Sequence, residues 1–174
     1  IKKYIDILGI KRLELDEFEA DDIIGTMSKK AKDYFDEVMI ISGDKDLLQL
    51  VGDNVKVCLT KKGISDLEEY NKDNFASLMG FSASQMTDYK ALIGDSSDNL
   101  PGLSGVGPKT AVKLLESYQT IENIISHVDE LKGKLQETVK NEAEIAKRTK
   151  MLATIATNAP IEYSFDDLEY ADVN

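Results

Sequence analysis

Seven acidic side chains fall into three clusters: Glu19, Asp21 and Asp22 in EADDIIGT, Asp44 and Asp46 in SGDKDLLQLV, and Asp95 and Asp98 in GDSSDN. Each cluster adjoins a short apolar segment expected to enter the core. Carboxylates that converge in a partly desolvated cleft raise one another's pKa and neutralise, unless hard divalent cations with oxygen ligands hold them. Mg²⁺ or Mn²⁺ suits such a set, whereas a single His and a single Cys leave no ligands for a nitrogen–sulfur zinc site. Two hard cations about 3.5–4 Å apart can clamp the attacking and leaving oxygens of an in-line phosphoryl displacement, which makes a phosphodiester the expected substrate. Taken singly, each cluster also has a local explanation, since acids favour helix N-termini, turns and caps. A non-catalytic binding module whose acids are only caps and turns is therefore the alternative reading.

A second constellation is LPGLSGVGPKTAVKLL, with Gly102, Gly105, Gly107, Lys109, Thr110 and Lys113. Gly102 and Gly107 are spaced like the glycines of a phosphate-binding P-loop, but Pro108 intervenes before Lys109 and removes an N–H donor. A polar turn precedes it rather than a buried strand. The segment reads better as a helix-hairpin-helix, in which small glycine turns bring backbone N–H groups to DNA phosphates without sequence preference. Lys109 and Lys113, one helical turn apart, would add salt-sensitive phosphate contacts.

These residues need elements to position them. Ala20, Ile23, Ile24, Met27 and Ala31 recur at helical spacing, with acids first and lysines later, predicting a helix from Glu19 to about Phe35. A short strand is predicted at 37–42, a helix opening in GDKDLLQLV and a second strand at 55–59. Lys61 and Lys62 read as a solvated turn. Strand and helix alternate, which predicts a parallel sheet with helices on its faces, and ligands at the carboxyl ends of its strands. After Asn71 the pattern turns helical: the capping pattern Ser82 to Gln85 precedes MTDYKALIG, and Pro108 suits a first helical turn. The expected organisation is an α/β core over 1–70, a helical DNA-binding lobe over 71–160 and an acidic end over 161–174.

Composition agrees with a globular domain: 174 residues, 42% hydrophobic and no long apolar run, so no membrane partner is expected. The net charge of −11 runs against a nucleic-acid partner. Part of it is concentrated at the end, where Glu162, Asp166, Asp167, Glu169 and Asp172 stand without Lys or Arg and read as a solvated tail. Cys58, in the apolar run VKVCL, reads as a small buried hydrophobe, and His127 as a helix-surface residue. The chain begins at Ile1 without a targeting segment and reads as a piece of a longer polypeptide.

In order and spacing, EADDIIGT, SGDKDLLQLV, ALIGDSSDNLPG, GLSGVGPKTAVKLL and the later KRTKMLATIATNAPIE resemble the 5′ nuclease family. That family includes flap endonucleases, phage exonucleases and the 5′ nuclease domain of bacterial DNA polymerase I. The resemblance implies a PIN-like nuclease core with a helical lobe bearing the helix-hairpin-helix. It also implies a metal-dependent phosphodiesterase that trims 5′ ends, cuts flaps from double-stranded DNA and removes RNA primers from DNA hybrids. By the same resemblance Glu19, Asp21, Asp22, Asp44, Asp46, Asp95 and Asp98 are ligands of two Mg²⁺ or Mn²⁺, with Asp22, Asp44 and Asp46 the catalytic acids. The hairpin from Gly102 to Lys109 grips the duplex and takes a monovalent cation such as K⁺. A polymerase domain in the same polypeptide and a bacterial cytoplasmic location follow from it too. The family's upstream aspartates and basic arch have no counterpart among the 18 residues before Glu19. Little or no nuclease activity is therefore expected of this stretch alone.

Overall fold

The computed structural model describes residues 1–62 and 66–169. A short helix α1 (Lys2–Ile7) leads to α2 (Ala20–Ala31), where Glu19 N–H donates to Asp22 Oδ2 at 3.4 Å and Lys29 and Lys30 occupy the last turn. The charge order thus complements the helix dipole, as its sequence predicts. The helix stops at Ala31, because Tyr34 and Phe35 fold back onto the Ala31 carbonyl.

Strand β1 (Val38–Ser42) pairs in parallel with β2 (Val55–Lys62), from Val38 opposite Val55 to Ser42 opposite Leu59. The sheet is mixed rather than purely parallel. β3 (Asp66–Tyr70) returns antiparallel along β2, with Val57 opposite Tyr70. Its sequence DLEEY hides it, because Asp66, Leu67 and Glu69 are exposed on this edge and Tyr70 alone is buried. Lys61 and Lys62 accordingly belong to β2 rather than to a turn, and Lys61 pairs with Glu68 across the strands at 2.8 Å.

Between β1 and β2 the segment Lys45–Leu50 forms a 3₁₀ turn instead of an α-helix. Asp44 caps it by accepting the Asp46 N–H at 2.9 Å, while Leu47 and Leu48 are buried in the core.

The helical lobe opens with α3 (Lys72–Met79), capped by Asn71 and closed by Gly80 in the left-handed region at φ 83°. Ser82 N–H donates to Gln85 Oε1 at 3.0 Å, the predicted capping pattern, and starts a 3₁₀ turn that runs into α4 (Met86–Ile93). Two short strands follow, β4 (Gly94–Asp95) antiparallel to β5 (Leu100–Pro101), and then α5 (Pro108–Tyr118) with proline in its first turn. α6 (Ile121–Ser126) and the long α7 (Gly133–Ala153) complete the lobe.

One apolar core runs through both parts, from Ile40, Leu48 and Val57 through Phe75 and Leu92 to Leu115, Ile121 and Val139. The chain after α7 then fastens lobe to core. Gln49 bonds Ala153 O and Ile155 N at 3.0 Å each, Asp22 accepts from Ala156 N at 2.8 Å, and Thr26 accepts from Ala159 N at 3.0 Å. The acidic end departs from a fully solvated tail, for Phe165 packs against Tyr34, Phe35 and Tyr163. Counting charges overlooks those aromatics; Asp172 lies outside the described residues. Cys58 is buried and unpaired in β2, and burial pushes its thiol pKa up. No helix among the described residues is long and apolar enough to cross a membrane.

Candidate metal centre

The 3₁₀ turn after β1 delivers Asp46, and the β4–β5 loop delivers Asp95 and Asp98. Among the described residues these three acids bring carboxylate oxygens within 4.8 Å of one another. Two of the three sequence clusters therefore meet. The loop holds its shape through glycine: a Cβ on Gly94, at φ 76°, would lie 2.6 Å from Gly102 N and 2.7 Å from Leu100 O. Asp95 also accepts the Ser97 N–H at 2.9 Å, and the Ser97 hydroxyl hydrogen-bonds to it.

A lysine that the motif reading does not single out sits among these acids. Lys90, on α4, is 4% exposed, and its ammonium pairs with Asp46, with Asp95 at 2.7 Å and with Asp98 at 3.9 Å. The signal was available in its spacing, since Met86, Lys90 and Ile93 lie on one helical stripe that also carries the core.

The field at each group follows from this packing. Burial pushes the Asp46 carboxyl above the ordinary carboxylate range against the pull of Lys90, and the charges of Asp44 and Asp98 push the same way. Lys90 and Ser97 together hold Asp95 at about 2. Burial works against the charge on Lys90, yet its ion pairs with Asp46 and Asp95 keep it above the ordinary lysine range.

The remaining acids lie outside that 4.8 Å group. Asp44 is exposed and caps the 3₁₀ turn next to Asp46. Asp21 accepts the Asp22 N–H at 2.9 Å, and Asp22 itself is bonded to Ala156 and Glu19 backbone, so Glu19, Asp21, Asp22 and Asp44 do not join the close group. α2 nevertheless packs against the turn carrying Asp44 and Asp46.

The hairpin stands on the same scaffold as Asp95 and Asp98. Leu103 and Val106 are buried anchors, Gly105 turns at φ 76°, and Ser104, Gly105, Pro108, Lys109 and Lys113 lie on the exposed rim. Thr110 is half-buried, and Gly107 caps α5. From α7, Glu142 accepts the Ser104 N–H at 2.7 Å and Thr149 donates to Pro101 O at 2.7 Å, so the long helix fixes the hairpin's height. His127 ends α6, exposed and tilted against Tyr118.

Two family models divide the whole chain: 5′-3′ exonuclease, N-terminal resolvase-like domain, over residues 1–80, and 5′-3′ exonuclease, C-terminal SAM fold, over residues 81–174. The chain belongs to the 5′-3′ exonuclease family. Within that family it is 48% identical to DNA polymerase I of Bacillus caldotenax over 98% of this chain, and 47% identical to that of Bacillus subtilis over 100%. It spans only 20% of the length of each. It is 40% identical to a 5′-3′ exonuclease of Mycoplasma pneumoniae, of which it spans 58%. Among solved structures, T5 5′-exonuclease with bound divalent zinc ions matches 83% of this chain and 53% of its own, at TM-score 0.73 and 24% identity. The catalytic core of Rad2 in complex with DNA substrate matches 99% of this chain and 58% of its own, at TM-score 0.63 and 14% identity. The α/β core with its helical lobe is thus the fold of 5′ nucleases.

Proposed function

We propose that this chain supplies the metal-holding and duplex-gripping parts of a 5′→3′ exonuclease and flap endonuclease acting on DNA 5′ ends, flaps and RNA primer–DNA hybrids. The observation that carries this reading is the convergence of Asp46, Asp95 and Asp98, carboxylates with no His or Cys among them, in a chain of the 5′-3′ exonuclease family. Such a donor set fits Mg²⁺ or Mn²⁺. A hard cation held there supplies Lewis acidity toward phosphodiester oxygens and offsets charge that builds on them.

The protein's own groups do the rest. Asp46, Asp95 and Asp98 would hold one cation, and Glu19, Asp21, Asp22 and Asp44 would serve a second, with Asp22, Asp44 and Asp46 as the catalytic acids. Lys109 and Lys113 would contact backbone phosphates, while Gly102, Gly105, Gly107 and Thr110 would let hairpin backbone approach the duplex and offer carbonyls to a K⁺. The division into the C-terminal part of a nuclease core (1–70), a helical lobe (71–160) and an acidic tail (161–174) that returns to the core or serves as a linker, a polymerase domain in the same polypeptide and a bacterial cytoplasmic setting belong to the same reading.

Calorimetric titration with Mn²⁺ and gel-shift binding of a 5′-flap duplex test it. The triple variant D46N/D95N/D98N is expected to lose Mn²⁺ binding, and K109A/K113A to weaken flap binding at least tenfold at low salt. Unchanged Mn²⁺ binding in the acid variant sinks the proposal.

A further inference from the structure

A buried ammonium is costly unless carboxylates surround it, and Lys90 meets that cost with the same three acids that form the candidate metal centre. The ammonium and a divalent ion therefore want the same oxygens. Each carboxylate oxygen that the ammonium holds is one that a divalent ion must take from it.

Lys90 cannot be exchanged cheaply for solvent. Its neighbours Ala91 and Leu92 are fully buried and Met86 nearly so, so its stem is fixed in the core while only its tip reaches the acids. Asp98 is the most exposed acid of the three and lies farthest from the ammonium, which leaves an approach from the solvent side.

We propose that Lys90 is a resident counter-cation of the Asp46–Asp95–Asp98 centre, competing with the divalent ion for its carboxylates and so setting the concentration at which metal is taken up. This rests on the reading of that centre as a metal site. It makes Lys90 a positioning residue with two effects of opposite sign. Its charge holds the acids together before metal binds, and its displacement is a cost of metal binding.

The test is calorimetry with MnCl₂ on the wild-type chain, K90M, K90R and K90M/D95N/D98N. K90M keeps the apolar stem and removes the competitor; it is expected to bind Mn²⁺ at least tenfold more tightly than wild type. K90R is expected to stay within about threefold of wild type, and K90M/D95N/D98N to lose the gain. K90M should also melt below wild type without metal and gain more Tm from saturating Mn²⁺. Equal or weaker Mn²⁺ binding by a cooperatively melting K90M overturns the competitor role. If neither wild type nor K90M takes up Mn²⁺, the metal reading falls with it. Should K90M not fold, acetylation mapping on wild type decides: Lys90 must become more reactive at a saturating Mn²⁺ concentration, and unchanged labelling overturns the proposal.

Discussion

Gly94 and Gly102 stand back to back across the β4–β5 bridge, so close that a Cβ on either would run into the other's backbone nitrogen. The loop they close carries Asp95 and Asp98. The spacing of GDSSDNLPG is therefore a packing requirement as well as a chemical one. Gly102→Ala is expected to cost about 3 kcal/mol, at the high end for overpacking because the obstacle is backbone rather than a flexible side chain. It should also abolish Mn²⁺ binding in calorimetry. Gly105→Ala, with open space around its Cβ but φ 76°, is expected to cost only about 1 kcal/mol.

Asp88 ties three helices together. Its nearly inaccessible carboxylate accepts the Ile121 N–H at 2.8 Å, at the start of α6, and pairs with Lys150 of α7 at 2.7 Å. Asp88→Ala leaves that N–H and part of the lysine charge without a partner inside the lobe. A loss of about 3 kcal/mol in urea unfolding follows, at the low end for broken buried pairs because Lys150 keeps Glu122 at 2.8 Å. Glu144→Ala, which removes the exposed partner of Lys147, is expected to change stability by less than about 0.5 kcal/mol.

Legibility in the sequence follows chemical contrast. α2, the Ser82–Gln85 start and the proline-led α5 are visible because their caps and apolar spacings are local properties of a few neighbours. β3 is not, because an edge strand with one buried aromatic and two exposed acids resembles a polar loop until its partner is known. The meeting of Asp46 with Asp95 and Asp98 is foreseeable from residue type, but how Glu19, Asp21 and Asp22 stand to that group depends on where α2 lies against the returning chain. Lys90 is hidden for another reason: lysine ordinarily marks a helix's wet face, and only the register with Met86 and Ile93 shows that this one points inward.

Tyr70 gives the fold an alkaline limit. It is buried at the end of β3, its hydroxyl donates to Glu68 at 2.6 Å, and burial together with that acid pushes its pKa from 10.0 up to about 12. A folded value above the unfolded one means that its contribution is full below pH 10 and is lost as pH rises through about 12. Wild-type Tm should fall across that interval more steeply than the Tm of Tyr70→Phe, with the two profiles parallel below pH 9.

Asp22 allows charge to be separated from hydrogen bonding. Its Oδ1 receives the Ala156 N–H at 2.8 Å and its Oδ2 the Glu19 N–H at 3.4 Å, so the side chain joins α2 to the segment that fastens lobe to core. Asp22→Ala removes both acceptors and is expected to cost about 1–2 kcal/mol, in the range of a lost helix cap. Asp22→Asn keeps one carbonyl oxygen for Ala156 while losing the charge and the long Glu19 bond, so its stability should stay within about 1 kcal/mol of wild type. If the EADD acids serve a second cation, that same asparagine variant lowers Mn²⁺ affinity severalfold at unchanged Tm. An asparagine variant with wild-type Mn²⁺ binding makes Asp22 a fastener of the returning chain and nothing more.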